Sequence, residues 1–190
     1  QGAECRGKLG EFDPADPAFV PRAFSLTHIN LTHRNWTAVG LPDVPELPIV
    51  DPRGLVTPWL AGWSLDGWIV TDDRHALFPS KMLVGSQQLL HEGGLTVVTE
   101  TCQGALSLRS MVEVIDIGGV PTCQIRLLGH ADTPGWLVAA LRPYNPEGVS
   151  PIHRIDVAPD RTGWMVNGHY PVTFSAPPQR FISSHYQWGD

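Results

Sequence analysis

Four carboxylates fall where strand-like sequence turns: Asp66, Asp72, Asp73 and Glu147. Glycoside hydrolysis needs only two carboxyl groups at a suitable separation, one to protonate the leaving oxygen and one to act as nucleophile or base. Turn carboxylates also commonly accept backbone N–H bonds, so the same residues can be purely structural. Other catalytic signatures fail on inspection. Gly62-Trp63-Ser64-Leu65-Asp66-Gly67 is one residue too long for a nucleophile elbow and lacks the strand–turn–helix setting that an elbow needs. His91-Glu92 opens like a zinc-peptidase helix, but Gly93 and Gly94 follow, and no second His stands four residues after His91. The eight histidines are scattered singly, and no phosphate loop or dinucleotide fingerprint is present. The expectation is a chain with no catalytic residue, no metal site and no cofactor of its own.

Binding chemistry has better material. In TPWLAGWSLDGWIV, Trp59, Trp63 and Trp68 lie close together among Gly and Pro. An indole is flat and apolar with one N–H donor, which suits either sugar stacking or packing between layers. Trp63 and Trp68 are an odd number of residues apart, so a continuous strand would point them to opposite faces. Gly67 is expected to break that continuity. Stacking on a sugar would require the rings to be coplanar and exposed beside polar groups such as Asp66. A second stretch, LRPYNPEGVSPIHRI, runs as a strand into Arg142 and resumes after Gly148. Pro143 donates no ladder hydrogen bond and Pro146 holds Asn145 extended, so pairing should end there. Tyr144, with Arg142 at its base, is expected to project from the sheet. Such a corner is shaped to touch a partner; the other reading is that Tyr144 caps the end of the core.

The elements that position these residues read as strands almost throughout from Ala23 onward. In ALSLRSMVEVID, Leu106, Leu108, Val112 and Val114 share one face, while Ser107, Arg109 and Glu113 share the other. Gly118-Gly119 then turns the chain into VPTCQIRLLG, where Cys123, Ile125 and Leu127 alternate with Thr122, Gln124 and Arg126. LTVVTETC precedes them, making an antiparallel meander. Asn167-Gly168 marks another hairpin, and Pro171 marks its second strand as an edge. The one helix candidate, SKMLVGSQQLLHE, carries Gly85 in its middle and is read as strand. Turns at intervals of roughly ten residues imply about a dozen strands in a large, all-β antiparallel sandwich of supersandwich type. Residues 1–22, broken by Pro14, Pro17 and Pro21, read as an extended arm, and residues 23–190 as a single sandwich domain.

Composition narrows the partners. Lys and Arg total 13 against 19 Asp and Glu, and no basic block occurs, so nucleic acid is not expected. No run approaches the roughly 18 apolar residues of a membrane span, and no charged-then-apolar leader opens the chain. Cys5, Cys102 and Cys123 are odd in number and show no CxxC spacing, so they announce neither a disulfide framework nor structural zinc. A cytoplasmic location is expected, with a secreted one as the alternative. Two Asn-x-Thr patterns, at Asn30 and Asn35, carry little weight without an export signal.

The segments HRNWTAVG, VDPRGLVTPWLAGWSLDGW and LRPYNPEGVSPIHRI together resemble a known domain. It is the N-terminal β-sandwich that precedes the helical six-hairpin toroid in bacterial glycogen-debranching and glucoamylase-like glycoside hydrolases. The resemblance spans residues 24–190. In that family a sandwich strand often ends in an Asn-Pro-aromatic-Gly loop near the inter-domain surface; here Glu147 replaces the aromatic. The catalytic acid and base of the family lie in the helical domain, which this chain lacks. The resemblance therefore implies a non-catalytic accessory domain of an amylo-α-1,6-glucosidase-type enzyme, excised from a longer chain that starts before Gln1. Its partner would be the helical catalytic domain, with α-glucan as a second candidate. The contact residues would be Trp59, Trp63, Asp66, Trp68, Arg142, Tyr144, Asn145 and Glu147. An independent carbohydrate-binding module, or a small glycosidase with paired carboxylates, are the alternatives.

Overall fold

The computed structural model describes residues 36–59, 62–82, 85–92, 94–145 and 148–184. The expected arm over 1–22, Cys5, Asn30, Asn35 and Glu147 lie outside these residues. The described residues fall into two compact units, 36–150 and 151–184. Among the described residues all of the regular structure is strand apart from one short 3₁₀ turn at Pro79–Lys81. No helix among the described residues is long and apolar enough to cross a membrane.

The larger unit is an antiparallel sandwich of two sheets. One sheet follows the order β1 (Thr37–Ala38), β2 (Ile49–Val50), β3 (Val56–Thr57), β4 (Ser64–Thr71), β10 (Gly135–Arg142), with β5 (Ala76–Leu77) also paired to β4. The other is a meander of β6 (Ser86–Leu90), β7 (Thr96–Gln103), β8 (Leu106–Ile117) and β9 (Val120–His130). A two-strand corner, β11 (Tyr144–Asn145) with β12 (Gly148–Val149), follows β10. The strand reading of the ambiguous segment thus holds over Ser86–Leu90.

Period-two alternation decides which face each strand buries. On β8, Leu106, Leu108, Ser110, Val112 and Val114 are buried, while Arg109 is exposed. These inward residues meet the facing sheet in two apolar clusters. Val39, Val50 and Val56 pack with Val97, Val112 and Val114, and Cys123 and Ile125 lie against them. Ile69 and Leu77 pack with Leu106 and Leu108. Burying a side chain of this size contributes about 1.5–3 kcal/mol, so these clusters are the main force holding the sheets together. Between them lies a polar belt of buried Thr99, Thr101 and Ser110. The β8–β9 hairpin turns at Gly118 (φ 64°) and Gly119 (φ 88°), the left-handed pair that a two-residue hairpin demands. Asp116 Oδ1 accepts the Gly119 N–H at 2.8 Å.

Gly67 does not break its strand, contrary to the sequence expectation. β4 pairs in unbroken register with β10, Gly67 lying opposite Ala139. Its missing side chain instead lets the sheets approach, since a Cβ there would sit 2.9 Å from Leu127 Cδ2 and 3.3 Å from Leu108 Cδ2.

The smaller unit is a three-strand meander, β13 (Ile155–Val157), β14 (Gly163–Val166) and β15 (Tyr170–Thr173). Asn167 and Gly168, both at positive φ, turn β14 into β15 as expected. Pro171 sits on β15, an edge strand in this sheet, where its lack of an N–H costs no ladder bond. The Asn167 side chain ties the unit's entry to its hairpin, accepting N–H bonds from His153 and Arg154 and donating to the Pro151 carbonyl. Trp164 meets Phe174 edge-on at 5.0 Å.

Candidate functional site

The site grows from the pairing of β4 with β10. Leu65, Gly67 and Ile69 of β4 belong to the face that meets the other sheet, so Ser64, Asp66 and Trp68 occupy the opposite face. On that face the Trp68 indole N–H donates to Asp66 Oδ2 at 2.7 Å. The Ser80 side chain lies close enough to favour the ionised carboxylate. β10 ends at Arg142, opposite Ser64, as Pro143 requires. The Arg142 guanidinium lies 5.3 Å from the Trp68 ring centroid and 5.2 Å from that of Tyr144, and its Nε–H donates to Tyr144 Oη at 3.2 Å. A planar cation between two ring faces is held by quadrupole attraction as well as by the hydrogen bond.

Tyr144 therefore does not project. It is only 4% exposed, turned inward where Arg142 supplies both its hydrogen-bond and its stacking partner. Asn145 is also buried, and its side chain works as a latch. Its Nδ2 donates to the Gly62 carbonyl at 2.7 Å, and its Oδ1 accepts the Gly148 N–H at 3.1 Å. Gly62 must be glycine, since a Cβ there would collide with the Trp59 indole. Trp59 and Trp63 meet edge-on, with ring centroids 4.8 Å apart at 82°. Trp63 is 2% exposed, which is the reverse of the coplanar, open pair that sugar stacking needs. The expected contact residues other than Glu147 thus form a clasp of two contact groups joined at Tyr144–Asn145, in which Trp63, Asp66, Tyr144 and Asn145 are buried and Trp59, Trp68 and Arg142 half-buried.

The electrostatics follow from burial. Loss of hydration pushes the Asp66 carboxyl up to about 6, and the nearby Asp51 carboxylate adds to this; the Trp68 and Ser80 hydrogen bonds and the Arg142 charge oppose it. Burial also raises the Tyr144 hydroxyl, against the pull of Arg142.

Asp51 and Arg53 escaped the sequence reading. Asp51 Oδ1 accepts the N–H groups of Arg53 and Leu55 at 2.8 and 2.9 Å, and Arg53 Nη1 reaches the Ser80 carbonyl at 2.6 Å. Asp51-Pro52-Arg53-Gly54 is an Asp-Pro-x-Gly turn signal, with Gly54 at φ 90°, and it could have flagged both residues.

Chemically, Asp66 is shut in. The space beside it is a cavity of about 10 Å³, lined also by Arg53, Gly67, Thr99 and Ser110. That admits a water-sized group and no sugar ring. Asp73, on the β4–β5 turn, is held below the usual carboxylate range by the Thr71 hydroxyl and is spent on that turn, with His75 Nδ1 3.1 Å away. Among the described residues no three His, Cys, Asp or Glu side chains converge as metal ligands.

No family model, curated protein or solved structure matches this chain. A second concavity, open and about 300 Å³, lies on the outer face of the meander sheet. Cross-strand register lines it with two rows, Cys102–Ser107–His130 and Glu100–Arg109–Leu128. Arg109 and Glu100 pair there at 3.3 Å.

Proposed function

We propose that this chain is a non-catalytic accessory β-sandwich of a glycogen-debranching-type glycoside hydrolase, which packs on a helical catalytic domain and borders its carbohydrate cleft. The observation that carries this reading is the set of large apolar side chains that the larger unit leaves exposed. On β9, Val120 is 62% and Leu128 52% exposed, and Trp136 and Leu137 stand out on β10. β9 and β10 adjoin near Gly129, where a Cβ would lie 3.1 Å from Leu137 Cδ1. Large apolar side chains left open on two adjoining strands suit cover by a protein layer. The enclosure of Asp66 supports the non-catalytic half of the reading.

The test is the reading frame beyond Asp190, followed by an assay of glucose release from glycogen limit dextrin. Several hundred residues of paired amphipathic helices, with activity in the longer protein and none in this chain, are expected. A stop codon directly after Asp190, or hydrolysis by this chain alone, overturns the proposal. Trp136, an exposed ring that the sequence reading passed over, favours a second reading as a carbohydrate-binding module. Millimolar or tighter binding of maltoheptaose, lost in Trp136→Ala, would select it.

A further inference from the structure

β4 is paired to β3 at Leu65 and to β5 at Ile69 and Val70, which leaves Asp66, Gly67 and Trp68 in a notch between the two short strands. Arg53, Gly54 and Pro79 close the notch from the side, and Thr99, Thr101, Leu108 and Ser110 of the meander sheet form its floor. What remains is the cavity of about 10 Å³, room for one water molecule. Two buried side-chain atoms of its lining, Arg53 Nε and Ser110 Oγ, have no hydrogen-bond partner among the described residues. Ser110 is 7% exposed, so bulk water does not satisfy it. A buried donor left without a partner costs about 1–3 kcal/mol, and here two such groups, one from each side of the sandwich, line the same small space.

We propose that this notch is a binding site for one internal water molecule that bridges Arg53 of one layer to Ser110 of the other. The occupant must accept from the Arg53 Nε–H, which excludes a cation, and it must fit a space of about 10 Å³. It must also exchange a hydrogen bond with a hydroxyl. A neutral group that both donates and accepts, and is no larger than the cavity, meets all of these demands. The bridge supplies the polar belt between the two apolar clusters with the hydrogen bond that the protein atoms leave unmade, and so couples the sheets where van der Waals packing is interrupted.

A crystal structure of the whole chain at about 1.5 Å or better tests this, with a Ser110→Val variant beside it. Expected is a full-occupancy peak at about 2.6–3.2 Å from both Arg53 Nε and Ser110 Oγ, absent from the variant, whose added methyl groups fill the notch. An empty notch, a side-chain arrangement in which Arg53 Nε bonds a protein oxygen, or an anomalous signal that marks chloride overturns the proposal. A peak that persists unshifted in Ser110→Val overturns the bridge to Ser110.

Discussion

Replacing Asp66 by Asn should make this protein more stable at neutral pH and leave it nearly unchanged in acid. Asp66 is 4% exposed, and burial raises its carboxyl from 3.8 to about 6. A carboxyl that holds its proton more tightly in the fold than in the unfolded chain stabilises the fold while protonated. That contribution is fully present below about pH 3.8 and is lost as pH rises through about 6. At about 1.4 kcal/mol for each tenfold change in proton affinity, ionised Asp66 burdens the fold by about 3 kcal/mol above pH 7. Asn has the same shape and no charge to desolvate. Its amide oxygen can accept the Trp68 N–H, and the Ser80 hydroxyl can turn to accept from its NH₂ group. For a chain of 190 residues, each kcal/mol moves the Tm by about 2–4 °C. The Asp66→Asn variant should therefore melt roughly 6–12 °C above the parent at pH 7.5, with the gap closing by pH 4. Calorimetry of both proteins across pH 4–8 decides the matter. A pH-independent gap, or a variant less stable than the parent at pH 7.5, refutes the reasoning.

Three further outcomes follow from the packing. Asn145→Ala removes the partners of the buried Gly62 carbonyl and the Gly148 N–H, and should cost about 1–3 kcal/mol in urea unfolding; a loss under about 0.5 kcal/mol would mean that the latch does not hold the corner. Gly67→Ala places a methyl 2.9 Å from Leu127 and should destabilise by about 1–3 kcal/mol through overpacking, whereas a neutral result would show that the sheets can separate freely. Cys102 is exposed, while burial pushes the Cys123 thiol up to about 12. Iodoacetamide at pH 8 with peptide mapping should therefore label Cys102 in the folded protein and Cys123 only after denaturant is added; equal labelling would place Cys123 outside the core.

The all-β class, the antiparallel meander and its hairpins were legible in the sequence because they rest on local chemistry. Alternation along Leu106 to Val114 and left-handed turns at Gly118-Gly119 and Asn167-Gly168 depend on residues within a few positions of one another. The clasp depends on residues far apart. Arg53 meets Ser80 across 27 positions, and Asn145 meets Gly62 across 83. A period of two assigns Asp66 and Trp68 to one face, but it does not say whether that face meets water. Distant segments decide that, with Arg142 at the end of β10, Ser80 and Asp51 all brought near Asp66, which leaves Asp66 and Tyr144 buried. Local backbone preference is written residue by residue, whereas burial, and with it proton affinity and access, is set by which distant segments come to rest on a surface.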